Sequence, residues 1–261
     1  MRSLLLRAID RWLAPAPDLT KVSWLGKWDY AHRGLHGQHD GQKRVENSVA
    51  AFEAAIEAGM GIECDIQRSR DHSPMVLHDW DLLRLTGNAS ATDGLTAEEL
   101  REVRYIDSED RIISLGGLLE LVDGRAPILI EIKSRRGYDV QRTCEIVRDY
   151  LRGYTGQFAV MSFDPRVSRW LSREMPDAVR GLVMKHKDFP QWYGYAIRRL
   201  SLWYAKPDFL AHDIRDLPTG LPSAQRARGM PVVSWTVRSP ELRARAAIHA
   251  DAPIAEGEGV V

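Results

Sequence analysis

Residues 127–133 read PILIEIK, and two-residue alternation places Leu129, Glu131 and Lys133 on one face of a strand and Ile128, Ile130 and Ile132 on the other. The isoleucines must meet helices. Glu131 and Lys133 then face the interior of a barrel at its carboxyl end, where such folds carry their functional groups. A second stretch, GIECDI at 61–66, repeats the pattern: Glu63 and Asp65 share one face, with Cys64 on the other.

Outward from these strands the chain alternates. Strands are predicted at WDYAH, MVLHD, FAVMSF, VRGLVM, DFLAHD and PVVSWTV, with a last short apolar piece near Ile254. Helices are predicted at 46–58, 96–104, 115–122, 139–152, 164–175, 189–204, 221–228 and 239–248. About eight βα units, with MVLHD as an extra strand beside the second, predict an α/β protein with a (β/α)8 TIM barrel. A doubly wound open sheet shows similar alternation, but no GxGxxG or GxxxxGK[ST] signature follows any strand. The expected organisation is an N-terminal amphipathic helix and linker over 1–26, then one catalytic domain over 27–261.

The 261 residues, 44% hydrophobic and 28% charged, suit one large globular domain or two small ones. A formal net charge of zero argues against a nucleic-acid partner, and no protein partner is predicted. Two cysteines, Cys64 and Cys144, in different predicted elements argue against a disulfide framework or a zinc site. No apolar run approaches the roughly 18 residues that span a bilayer, and the N-terminus lacks a cleavable signal, so a cytoplasmic location is expected.

The opening MRSLLLRAIDRWLAP places Leu5, Ile9, Trp12 and Leu13 at helical spacing and Arg2, Arg7 and Arg11 elsewhere on the wheel. Such a helix either packs on the body of the domain or makes peripheral contact with an anionic membrane through residues 2–14.

Three carboxylates turned into one small space, Glu63, Asp65 and Glu131, repel each other and lose hydration, a cost of several kcal/mol per ion unless positive charge compensates. Oxygen-only ligation points to a divalent cation, Mg2+ or Ca2+. Ordinary salt bridges to Arg33 and Lys133 are the alternative. His32 at the end of the first strand and His78 at the end of PMVLHD flank the cluster as a potential acid and base pair, because imidazole titrates near neutral pH. With Arg33 and Lys133 beside them, the inventory suits an anionic substrate better than a sugar.

The series AHRG, ENSVAAFEAAIEAG, IECDIQRSRDHSPMVLHD and EIK resembles the glycerophosphodiester phosphodiesterase family, as do the later pieces VMSFDP, MPDAVRGLV and PVVSWTVRSPE. The resemblance covers about residues 27–256. It implies that His32 and His78 are general acid and base, that Glu63, Asp65 and Glu131 bind the metal, that Arg33 and Lys133 hold phosphate oxygens, and that Glu46 and Asn47 position the site. Trp235 is expected either as a wall of the substrate pocket or as core packing. The implied reaction is metal-dependent cleavage of a glycerophosphodiester by the substrate's own hydroxyl, through a cyclic phosphate. A lysophospholipase D-like or cyclic-phosphate-forming relative would use the same residues, and a non-catalytic binding module would not need both histidines.

Two departures stand out. Val45 replaces the family's usual proline, and DAPIAEGEG closes the chain where the family has an ITD-x-P-like piece. The aromatic run FPQWYGYAIRRLSLWYAKPDF is read as an amphipathic barrel helix, or else as an apolar lip near the site.

Overall fold

The structure is a computed structural model describing residues 2–39, 41–186 and 191–260. It divides into two compact units, Tyr30–Phe158 and a second made of Met1–Asp29 with Ala159–Val261.

In the first unit the chain enters strand β1 (Tyr30–His32) and reverses at Arg33 and Gly34, both with positive φ. Gly34 is needed there because a Cβ would stand 2.8 Å from the Ala51 carbonyl carbon. A small antiparallel hairpin, β2 (Gly37–His39) and β3 (Gln42–Arg44), follows. Helix Val49–Glu57 then starts at Ser48, whose hydroxyl accepts from the Ala51 amide. It packs Phe52 and its alanines inward and delivers the chain to β4 (Gly61–Arg68). β4 pairs parallel with β1, with His32 beside Glu63. It also pairs antiparallel with the short β5 (Pro74–Val76). β6 (Ile128–Ile132) lies parallel on its other side, with Asp65 beside Glu131. These two registers set the histidine and the three carboxylates next to each other. Met75, Leu77, Leu82, Leu100, Tyr105 and Ile112 form a separate small core beneath the segment between β5 and β6.

β5 ends earlier than its apolar pattern predicts, so Leu77, His78 and Asp79 lie beyond it. Their backbone carbonyls accept from the buried Gln67 Nε2 at 3.3, 2.8 and 2.6 Å, while the Leu77 amide still donates to the Asp65 carbonyl at 2.9 Å.

The second unit holds five parallel strands, β7 (Phe158–Ser162), β8 (Val179–Met184), β9 (Phe209–Asp213), β10 (Val232–Val237) and β11 (Ala252–Ala255). Gly181 of β8 faces Phe209 of β9 in register, and the phenyl ring occupies the place of the missing side chain. Helices Pro165–Glu174 and Pro240–His249 begin with proline in the first turn after an Asp164 or Ser239 cap. Among the described residues, the eight parallel strands β1, β4, β6 and β7 to β11 form the predicted (β/α)8 barrel.

The N-terminal helix Arg2–Leu13 docks through a polar residue. Asp10 is 1% exposed and accepts from Arg199 Nη1 at 2.6 Å, Trp203 Nε1 at 2.8 Å and Gln225 Nε2 at 3.0 Å. Trp12, placed by its spacing on the apolar stripe, is instead 81% exposed, because the turn of helix that buries Asp10 carries Trp12 away from the body. The expected linker also has order: Leu19–Val22 is a short helix capped by Asp18, and Val22 and Leu25 are buried. Residues 187–190 of the aromatic run lie outside the described residues, and helix Gln191–Ala205 follows them.

Removing one partner of a buried, hydrogen-bonded ion pair leaves the other charge without compensation. Asp10→Ala is therefore expected to destabilise the protein by about 3–5 kcal/mol, and Trp12→Ala by no more than about 0.5 kcal/mol. Urea unfolding of both variants checks this, and equal effects would refute the Asp10 anchor.

Candidate active site

Glu63 and Asp65 on β4 and Glu131 on β6 are all buried, with one oxygen from each within 4.8 Å of the others. Burial comes first in raising the Glu63 carboxyl well above its usual range, and the charges of Asp65 and Glu131 add to it. Burial would raise Asp65 as well, but Lys133, followed by Arg33, outweighs it and holds that carboxyl below the ordinary range.

Those two cations are in place. Lys133 Nζ lies 2.9 Å from Glu131 Oε1 and 3.1 Å from Asp65 Oδ1. Arg33 Nε lies 3.1 Å from Asp65 Oδ2, and the Arg33 backbone amide donates to Glu63 Oε2 at 3.1 Å. Asn47, at positive φ, donates from Nδ2 to Asp65 Oδ2 at 3.0 Å and accepts from the Asp65 amide. The salt bridges expected as an alternative to metal binding are thus formed. Glu63 nevertheless keeps neighbours of its own sign and no side-chain ion pair to Arg33 or Lys133 among the described residues.

The donor set fits a hard divalent cation. It is made only of oxygens, it converges from facing strands, and oxygens sharing one ion at about 2.0–2.6 Å stand no more than about twice that apart. Burial and like-charged neighbours disfavour the ionised Glu63 carboxyl, and a divalent ion would favour it.

Both histidines stand close enough to the trio to act on the Asp65 charge. His32 Nε2 is 3.9 Å from Glu63 Oε2. His78 Nδ1 is 2.7 Å from Asp79 Oδ1, a carboxylate–imidazole pair that fixes the ring and leaves Nε2 for other partners. Arg84 holds Asp79 Oδ2 through Nε at 2.5 Å and Glu46 through Nη2 at 2.6 Å and Nη1 at 3.0 Å. Glu46 in turn takes a bond from Arg33 Nη1 at 2.8 Å. An alternating row of charges therefore runs from Asp79 through Arg84, Glu46 and Arg33 to Asp65.

Nine of the ten residues singled out in the sequence lie in this unit. The tenth, Trp235, belongs to the second unit, where its ring meets Phe163 edge-on at 5.4 Å and its Nε1 donates to the Ala211 carbonyl at 3.0 Å. Three participants escaped the sequence reading. Gln67 continues the inward face of β4 and Asp79 follows His78 directly, so both had a positional signal. Arg84 had none, since its place depends on how the segment after β5 folds back.

The family described as glycerophosphoryl diester phosphodiesterase matches residues 32–254. A glycerophosphodiester phosphodiesterase of Caldanaerobacter subterraneus is 25% identical over 219 residues, spanning 79% of this chain and 84% of the relative. A lysophospholipase D of Rattus norvegicus is 29% identical over 135 residues, 47% of this chain and 41% of the relative. Among solved structures, a phosphodiesterase of Oleispira antarctica in complex with the product sn-glycerol-3-phosphate superposes with a TM-score of 0.74 at 19% identity, covering 87% of this chain and 92% of that one. A glycerophosphodiester phosphodiesterase of Thermotoga maritima gives 0.69 at 24%, with coverage of 87% and 92%. At these identities the two structures establish the fold.

A carboxyl depressed by folding stabilises the protein above its ordinary value, 3.8 for Asp65, and that stability is lost as pH falls through the folded value. Lys133→Met removes the principal cation, so acid unfolding of the chelator-treated variant should begin at a higher pH than in the parent. Acid titrations followed by circular dichroism test this, and coincident curves would contradict the assignment.

Proposed function

Because the chain belongs to the glycerophosphoryl diester phosphodiesterase family, we propose that it hydrolyses glycerophosphodiesters to glycerol 3-phosphate and an alcohol, with His32 and His78 moving the protons. The observation that carries this reading is the His78–Asp79 pair standing, with His32, beside a buried carboxylate trio. A binding module would have no use for a second, carboxylate-oriented imidazole.

One imidazole takes the proton from the glycerol hydroxyl next to the ester. That oxygen attacks phosphorus, the bond from phosphorus to the alcohol breaks, and the other imidazole gives its proton to the departing oxygen. Water then opens the cyclic phosphate with the two roles exchanged. Arg33 and Lys133 donate to the phosphate oxygens, where their charge is strongest because the site is half-closed to water. Glu46 and Asn47 hold Arg33 and Asp65 in position. Asp79 keeps the His78 proton on Nδ1, so that Nε2 exchanges protons with the substrate. Glu63, Asp65 and Glu131 are the proposed ligands of Mg2+ or Ca2+. When bound, that ion lowers the pKa of the attacking hydroxyl and neutralises charge at the phosphate.

A second reading concerns where the enzyme works. Among the described residues no helix is long and apolar enough to cross a membrane. Trp12 with Arg11 on the N-terminal helix, and Leu200 and Tyr204 on helix Gln191–Ala205, are exposed. These exposed groups support peripheral contact with an anionic membrane, and lysophospholipids as further substrates. Loss of vesicle sedimentation in Arg11→Ala/Trp12→Ala, at an unchanged melting point, is the expected outcome; retained sedimentation would reject the contact.

Phosphorus NMR of glycerophosphocholine and lysophosphatidylcholine incubated with the protein tests the reaction itself. His32→Ala and His78→Ala should each lower turnover by about 10² to 10⁴ without loss of fold. Chelation should abolish turnover and Mg2+ or Ca2+ restore it, and Glu63→Gln should weaken metal binding more than Glu46→Gln does. Normal turnover in folded His78→Ala, or full activity of metal-free protein, would overturn the scheme.

A further inference from the structure

Between β1 and the helix at Val49 the chain leaves the barrel as the β2–β3 hairpin and returns through Val45 and Glu46. The hairpin and the segment after β5 enclose a cavity of about 440 Å3. Val45, Leu85 and Ile106 give it apolar walls, while Lys43, Arg44 and Arg84 bring three cations to it. Glu46 is the one carboxylate among its described lining residues, and its charge is already shared between Arg33 and Arg84. At the open rim Lys43 stands 4.0 Å from the exposed Asp107, a pair that water largely screens.

Arg44 is the unusual member. Its Nη2 donates to Gln42 Oε1 at 3.1 Å, but its Nη1 is buried without a hydrogen-bond partner. A buried guanidinium N–H lacking an acceptor is costly, and an incoming anion would satisfy it. The cavity also adjoins the reacting groups. Glu46 belongs to both, and His36, which lines the cavity, has its ring 6.4 Å from that of His32. A substituent leading away from the phosphate past Glu46 and His36 would enter it.

We propose that this cavity receives the alcohol half of the diester and selects alcohols that carry a second negative charge, a carboxylate or a phosphate monoester, over choline. The proposal rests on the diesterase reading and deepens it. With Arg84 bound to Glu46 and Asp79, Arg44 and the rim Lys43 leave the cavity positive, which repels a quaternary ammonium, and the Arg44 guanidinium offers an anion a planar pair of N–H groups.

The test compares three diesters: glycerophosphoglycerol, the same compound phosphorylated on its terminal hydroxyl, and glycerophosphocholine. The phosphorylated diester should show kcat/KM at least tenfold above that of glycerophosphocholine, with the difference in KM. Arg44→Glu, or Arg44→Gln if the former fails to fold, should shrink that ratio at least tenfold. Equal kcat/KM values for the parent, or an unchanged ratio in a folded variant, would overturn the proposal. So would inhibition by inorganic phosphate that needs Arg44 while head-group charge leaves KM unaffected, since that would mark a site for a free anion. If no diester is cleaved, the diesterase reading fails by itself. Calorimetric titration with the same three compounds then decides the cavity: tighter binding of the phosphorylated one, lost in Arg44→Glu, sustains it, and equal affinities end it.

Discussion

Three carboxylates that cannot all stay charged in a dry space are the constraint on which the rest of the site depends. Register alone brings Glu63, Asp65 and Glu131 together, because β4 lies between β1 and β6 and alternation turns all three residues to one face. Once they are buried, repulsion and lost hydration must be met by positive charge. Lys133 meets part of it from the strand that carries Glu131, two residues on. Arg33 meets another part from the tight turn after β1, and the positive φ of that turn lets its backbone amide bond Glu63 while its side chain reaches Asp65. The turn conformation of AHRG is therefore an electrostatic requirement as much as a steric one.

The compensation extends beyond the trio. Arg33 also bonds Glu46, Glu46 bonds Arg84, Arg84 bonds Asp79, and Asp79 orients His78. Each charge in this row has the opposite sign from its neighbours, so each is stabilised where a lone ion would be expelled. One consequence is mechanical: His78 is held from two sides, by Asp79 at its ring and by Gln67 at its carbonyl. A proton carrier gains from such restraint, because transfer demands that the nitrogen stay within hydrogen-bond reach of the reacting oxygen.

Much of this could be read from local spacing. PILIEIK and GIECDI assign their charged residues to one face with no knowledge of the third dimension, and the alternation of short apolar runs with amphipathic stretches yields the barrel. Spacing could not reveal partners that meet through long-range folding. Arg84 lies 38 residues from Glu46 in sequence, and Asp10 lies 189 from Arg199. The helical wheel misplaced Trp12 for the same reason: an apolar stripe predicts burial only where no buried ion pair sets the rotation of the helix. The shortened β5 was hidden because its apolar pattern continues through Leu77, while the carbonyls of Leu77, His78 and Asp79 accept from a single buried amide, Gln67.

Charge balance also bears on what the site can hold. Were all three carboxylates charged, they would exceed Arg33 and Lys133 by one negative charge, to which Glu46 with Arg84 adds none, and Glu63 is the group whose charge burial and crowding disfavour. A divalent ion would change that excess to a single positive charge, which a diester cancels. The product monoester, a dianion near neutral pH, would overshoot the balance and be held less well than its charge alone suggests. A site so rich in acid would attract an anionic diester best with the ion bound, which would tie recognition of the diester to the same three side chains whose crowding shapes the strand ends.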